Sequence, residues 1–127
     1  MPVRSLNSSV LKWPDPQTVI EAVRRWAESV GRNHRTVRAI GYFGSYARGN
    51  WGVGSDLDIV IITSYSEEPF ERRSLLYDAA PLPVPADILV YTEDEWARLK
   101  REGGFRRALE AQTVWIYTPE GSRTEKN

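Results

Sequence analysis

At 127 residues, with 17 basic and 17 acidic side chains, the chain has room for one core and no net field to recruit nucleic acid or an anionic membrane. It contains no cysteine, which excludes a disulfide framework and a thiolate nucleophile and suits a reducing compartment. No stretch approaches the roughly 20 apolar residues that span a bilayer, and the opening MPVRSLNSSVLKW lacks the apolar run of a signal peptide, so a soluble, cytoplasmic protein with no membrane partner is expected.

The first element in chain order is DPQTVIEAVRRWAESVG over 15–31. Asp15 is placed to cap the free amides, Pro16 suits the first helical position and Gly31 reads as the stop. Val19, Val23, Trp26 and Val30 share one stripe at helical spacing. TVRAIGYFG over 36–44 reads as a strand ending at Gly44, and SYARGN as one or two helical turns before a glycine loop over 49–54. DLDIVIIT over 56–63 is a second strand. A helix is expected over 69–80, with Phe70, Leu75, Leu76 and Ala79 available for packing, until PLPVP breaks it.

ADILVYT over 86–92 is a third strand and leads into TEDEWARLKREGG, where Thr92 and Glu95 form a capping box and Gly103 a stop. A short helix over 105–111 and a last strand in TVWIYTP over 113–119 complete the pattern. The predicted organisation is an N-terminal segment over 1–14, one domain over 15–118 and a loose tail over 119–127. Helices alternate with strands, so the fold class is α/β or α+β, with a small mixed sheet flanked by helices.

The chemistry concentrates in GYFGSYARGNWGVGSDLDIVIIT, residues 41–63. Side chains alternate along a strand, so Asp56 and Asp58 point the same way with α-carbons roughly 6 to 7 Å apart, while Leu57, Ile59 and Ile61 face a core. Two carboxylates this close repel unless a cation intervenes. Mg²⁺ takes hard oxygen ligands and completes its shell with water and substrate phosphate. The pair reads as half of a metal site.

Gly44 and Ser45 are suited to the other half, since a glycine lets backbone amides approach an anion and a serine at a helix start offers an amide and a hydroxyl. Arg48, one turn on, is either a further phosphate contact or a surface ion pair. A site with two metals needs a third carboxylate. Asp87, at the start of the strand ADILVYT, is the candidate; the bland alternative is a turn cap after PVP. For Asp56 and Asp58 the bland alternative is a solvated strand end. Trp51 in the glycine loop either packs or stacks on a base, His34 reads as a surface residue, and Trp13, Trp26, Trp96 and Trp115 as core or interface.

Gly44 and Ser45, ten intervening residues, then Asp56, Leu57 and Asp58, with a later strand opening at Asp87, resemble the signature of the polymerase-β-like nucleotidyltransferases. The string GSYARGNWGVGSDLDIVI is most similar to the minimal nucleotidyltransferase family, whose members read G-S-x-A-R-G and S-D-x-D here. The resemblance covers Gly41 to about Trp96. It implies two Mg²⁺ ions on Asp56, Asp58 and Asp87, and transfer of a nucleoside monophosphate from ATP or another NTP to a hydroxyl, with Asp87 nearest the acceptor. It also implies an antitoxin that adds AMP to a tyrosine of a separately encoded HEPN-domain partner, and a hetero-oligomer of the two chains. The HEPN motif itself, R-x4-H-x-Y, does not fit His34, the one histidine.

Three other functions compete with this reading. One is a non-catalytic antitoxin that occludes its partner. Another is transfer to a small-molecule acceptor, for which relatives carry a further domain. Nucleotide addition to RNA is disfavoured because no basic stripe with interleaved aromatics is present.

Overall fold

The computed structural model describes residues 13–49, 52, 54–102 and 104–119. Helix α1 (Pro16–Asn33) opens as expected, with the Asp15 carboxylate accepting from the Thr18 amide at 2.9 Å. It leads to β1 (Val37–Phe43), a four-residue helix α2 (Ser45–Arg48) and β2 (Leu57–Thr63). A 3-10 helix (Phe70–Leu76) precedes β3 (Ala86–Thr92), and helices α3 (Glu93–Glu102) and α4 (Gly104–Gln112) precede β4 (Val114–Tyr117). The sheet order is β3-β2-β1-β4. β1 runs antiparallel to both β2 and β4, whereas β2 and β3 are parallel, so the sheet is mixed as predicted.

β2 lies inside the sheet with both faces covered. Its apolar run suits that place, because a strand buried on both sides shows no alternation of apolar and polar residues. Leu57, Ile59 and Ile61 join Ile40, Tyr42 and Val90 in one cluster with Val19, Val23, Trp26, Ala27 and Val30 of α1. On the opposite face Val60 and Ile62 are also buried, beneath the side where α3 packs on β2 and β3. There Trp96 sits 5.6 Å from the Tyr91 ring and 6.0 Å from that of Trp115. The tryptophans divide accordingly: Trp26 is core, with its indole donating to the Asp78 carbonyl at 2.8 Å, while Trp13, Trp96 and Trp115 are half-buried. His34 is half-buried too, its ring 4.8 Å from Tyr77.

Two expectations are corrected. Gly31 does not stop α1, which continues to Asn33 and is capped at His34, whose amide donates to the Val30 carbonyl at 2.9 Å. The glycine instead admits the Tyr117 ring of β4, which any Cβ at that position would strike. The helix expected over 69–80 is a 3-10 helix that ends at Leu76. Asp78 turns its carboxylate onto the Ala80 amide at 2.9 Å, and Pro81 disfavours helical geometry at the residue before it. Leu75 and Leu76 are exposed rather than packed, Phe70 is 41% exposed but sets its ring 5.3 Å from that of Tyr91, Ala79 packs against the core, and the buried side chains of this segment are Arg73 and Tyr77. Gly103 lies outside the described residues.

Arg73 holds this segment to the sheet. Its guanidinium donates to the Glu68 carbonyl at 2.9 Å, to the Val90 carbonyl of edge strand β3 at 3.1 Å, and to both Glu95 oxygens at 2.6 and 3.0 Å. Glu95 in turn accepts the Thr92 amide at 2.9 Å, while its own amide donates to the Thr92 hydroxyl at 3.2 Å, forming the predicted capping box. A forked cation thus closes the free edge of β3 and the N-terminus of α3 together.

The hydrogen bond from Arg73 is the largest of the effects that hold the Glu95 carboxyl below its ordinary range. A depressed carboxylate contributes stability that is complete above its unfolded-state pKa and is lost as pH falls through the folded-state value. Glu95→Gln leaves a buried guanidinium without its counter-charge and is expected to destabilise the fold by about 2 to 4 kcal/mol at neutral pH. Denaturant titrations of wild type and variant should converge in acid, where the wild-type carboxylate is itself protonated.

Candidate active site

The site forms where β1 ends and β2 and β3 begin. Asp58, the second residue of β2, is paired with Phe43 of β1 on one side and with Asp87 of β3 on the other. The parallel register therefore makes Asp58 and Asp87 direct cross-strand neighbours. Strand spacing of about 4.8 Å sets the two backbones close enough for their carboxylates to interact strongly. Asp56 lies just before β2 rather than within it, and is exposed, as is Asp87. Between the two acids of the motif, Leu57 is fully buried in the core and its amide donates to the Pro85 carbonyl at 2.9 Å, joining the entries of β2 and β3.

Asp58 is half-buried, and its electrostatics follow from that position. Burial is the largest cause that holds its carboxyl above the ordinary aspartate range, followed by the negative charges of Asp87 and Asp56, while Arg48 works against the rise. Among the described residues no three acidic or histidine side chains are already gathered as a metal cage. The donor set nevertheless suits a hard divalent cation: three carboxylates that act on one another, one of them partly desolvated, gain most from added positive charge.

Gly44 forms the opposite wall. It leaves β1 with φ 76° and ψ −148°, and a Cβ built there would collide with Asp58 Oδ2. The carboxylate thus lies directly against glycine backbone. From there the chain enters α2, where the Ala47 and Arg48 amides donate to the Gly44 carbonyl at 3.1 and 2.9 Å. Four residues cannot hold a helix by themselves. Tyr46 anchors it, buried in the core with its hydroxyl accepting from the Trp13 indole at 3.3 Å. Gly49, at φ 83°, closes the helix, and Ser55 turns the following loop by accepting the Gly52 amide at 2.7 Å. Trp51, the candidate base-stacking residue, lies outside the described residues.

A cleft of about 490 Å³ opens on this corner, lined by Phe43, Asp58, Ser74, Tyr77, Asp87 and Leu89 among others. The structure thus brings Gly44, Asp58 and Asp87 to one place, with Asp56 and Arg48 near enough to act on Asp58 electrostatically; Ser45 follows Gly44 at the start of α2. Ser74 and Tyr77 were missed by sequence reasoning, because nothing in RRSLLY signals which side of a 3-10 helix meets the cleft. Gln112 was also missed: its Oε1 accepts from Arg48 at 3.3 Å across a separation of 64 residues. That contact is made only because β4 returns beside β1.

Comparison with known proteins identifies the family. A family model described as a nucleotidyltransferase domain matches residues 23–116. No curated protein is similar enough in sequence to match. Among solved structures, a candidate nucleotidyltransferase from Sulfolobus solfataricus is similar with a TM-score of 0.61 at 21% identity, covering 83% of this chain and 85% of that one. A toxin–antitoxin structure with AMP-PNP gives 0.53 at 18% identity, covering 80% of this chain and 76% of that one. A mutant of the toxin–antitoxin pair MntA-HpeT gives 0.51 at 18% identity, covering 80% and 73%. At these identities the structural likeness establishes the fold. The family model adds the chemistry, since it runs from the middle of α1 to the last strand and takes in every residue from Gly44 to Asp87: this chain is a nucleotidyltransferase and belongs to the nucleotidyltransferase domain family.

Proposed function

We propose that this chain transfers AMP from ATP to a tyrosine hydroxyl of a separately encoded HEPN-domain protein, and that it thereby acts as an antitoxin in the cytoplasm. The observation that carries the reading is the placement of Asp58, set in register beside Asp87 and pressed against Gly44 backbone. The likeness to toxin–antitoxin structures, one of them with AMP-PNP, supports the nucleotide and the kind of partner.

In this reading Asp56, Asp58 and Asp87 would hold Mg²⁺, which would offset their mutual repulsion and supply positive charge to the triphosphate. Gly44 gives the phosphates close access to backbone, Ser45 donates its hydroxyl and amide, and Arg48 turns from Gln112 toward the phosphate oxygens. Asp87, at the open side of the pair, takes the proton of the acceptor hydroxyl. The tyrosine oxygen forms its bond to the α-phosphorus as the bond to the β-phosphate oxygen breaks, and pyrophosphate leaves. Orienting the acceptor against the nucleotide contributes roughly 7 to 11 kcal/mol to such reactions, and a docked protein surface supplies that orientation.

MgATP at about 100 times its dissociation constant should stabilise the fold by about 2.7 kcal/mol, and a thermal melt unmoved by any Mg-NTP would refute the assignment. Mixing the chain with its HEPN-domain partner, Mg²⁺ and each NTP, then weighing the partner intact, should show one or more added AMP units. Asp58→Asn should abolish the added mass while leaving metal-free stability equal or higher, because it removes one of three crowded charges. Tight inhibition of the partner without added mass would instead identify an occluding antitoxin.

Gly44→Ala provides a separate check. The substitution forces a side chain into a left-handed backbone region and against Asp58 Oδ2, and should lower stability by about 1 to 3 kcal/mol. It should also weaken MgATP binding, measured by calorimetry, more than Ser45→Ala does.

A further inference from the structure

The 3-10 helix carries two leucines that the fold leaves outside. Leu75 is 74% exposed and Leu76 49%, and Tyr65, from the turn before the helix, is 59% exposed. The helix that carries the leucines borders the active-site cleft through its neighbouring residues. Ser74, immediately before Leu75, lines the cleft with Asp58 and Asp87. Tyr77 lines both that cleft and a shallower depression of about 240 Å³ shared with Tyr65 and Leu76. Tyr77 thereby joins the reacting corner to the depression that Tyr65 and Leu76 border.

The backbone presenting these residues is fixed in advance. Arg73, between Arg72 and Ser74, is buried and tied to Glu68, Val90 and Glu95. Such anchoring removes much of the ordering entropy that a flexible loop would lose on binding. The exposed charges around the patch are mostly acidic: Glu67, Glu71 and Asp78 stand in solvent, and the exposed cation of the helix, Arg72, pairs with Glu68 at 3.4 Å. Asp56 and Asp87 extend that negative field into the cleft. An acidic rim repels nucleic acid, and a small acceptor has no use for leucines outside the cleft.

We infer that the surface of Tyr65, Leu75 and Leu76 docks the protein that carries the acceptor hydroxyl, and that this protein presents an apolar patch ringed by lysine and arginine. The inference rests on the transferase reading above and deepens it by assigning the acceptor's position. A partner seated on Leu75 and Leu76 lies across the cleft edge at Ser74, where a side chain reaching past the rim meets Asp87. The apolar anchors supply affinity, and the opposed charges speed encounter and set the register.

The experiment titrates the purified HEPN-domain partner into wild type, the double variant Leu75→Glu, Leu76→Glu and the rim variant Glu71→Lys, with MgATP binding and thermal melting measured for each. The double variant should bind the partner at least about 30-fold more weakly. The rim variant should associate about 3- to 10-fold more slowly at low salt, with the difference fading at high salt. MgATP affinity and melting temperature should match wild type in both. Undiminished partner binding by the double variant, or no partner binding by wild type, overturns the docking surface. If wild type adds AMP to the partner and the double variant does so equally well, the transferase reading stands and the docking surface falls. If the double variant loses the partner but wild type adds no mass to it, the docking surface stands and the transferase reading falls.

Discussion

β2 is covered on both faces from Ile59 to Ile62, and this double burial is the constraint from which the site follows. A strand so placed has no solvated face on which to carry charge, and a buried carboxylate without a partner is strongly disfavoured. Charge is tolerated at its entry, where the sheet stops and the chain comes in from solvent. Asp56 and Asp58 occupy that entry, with Leu57 between them driven into the core. The parallel neighbour β3 begins at the same level and sets Asp87 beside Asp58. Chemistry at strand ends and rigidity at strand centres are two results of one packing arrangement.

The glycine turn after β1 completes the corner through close approach. With its positive φ and no side chain, Gly44 lets the Asp58 carboxylate rest against backbone. A helix as short as α2 gains its stability from elsewhere, and Tyr46 supplies it by inserting into the core. The turn at Gly44 is thereby attached to the same apolar cluster that fixes β2. Arg48 is held from a third direction by Gln112, so elements from both ends of the chain converge on one carboxylate.

On the other wall, Arg73 links the 3-10 helix to the β3 edge and to the α3 cap. A cation is an uncommon interior residue, and here its forked donors meet two carbonyls, one of them on the edge strand β3, and the carboxylate that also caps α3. The same anchoring fixes Ser74 at the cleft and Leu75 in solvent. Cleft wall and outer surface are consecutive residues on one backbone, so positions taken up by the inner side chains determine what the outer ones present.

Much of this was legible in the sequence where the signal is local. The strands over 37–43, 57–63 and 86–92, the Asp15 cap and the Thr92–Glu95 capping box depend on residues a few positions apart, and the spacing of Gly44, Ser45, Asp56 and Asp58 picks out the candidate site without a structure. Tertiary packing decided what depends on distant partners. Gly31 was taken for a stop because glycine often ends helices, yet it serves the Tyr117 ring of a strand some 86 positions on. Leu75 and Leu76 were expected inside because apolar residues usually are, but the segment turns by three residues per turn around a buried arginine and leaves them in water. The register that sets Asp87 beside Asp58, and the reach of Gln112 to Arg48, belong to the pairing of strands far apart in the chain. Local propensity and periodicity carry no record of such pairing, because its free energy is gained only when the whole sheet closes over one core.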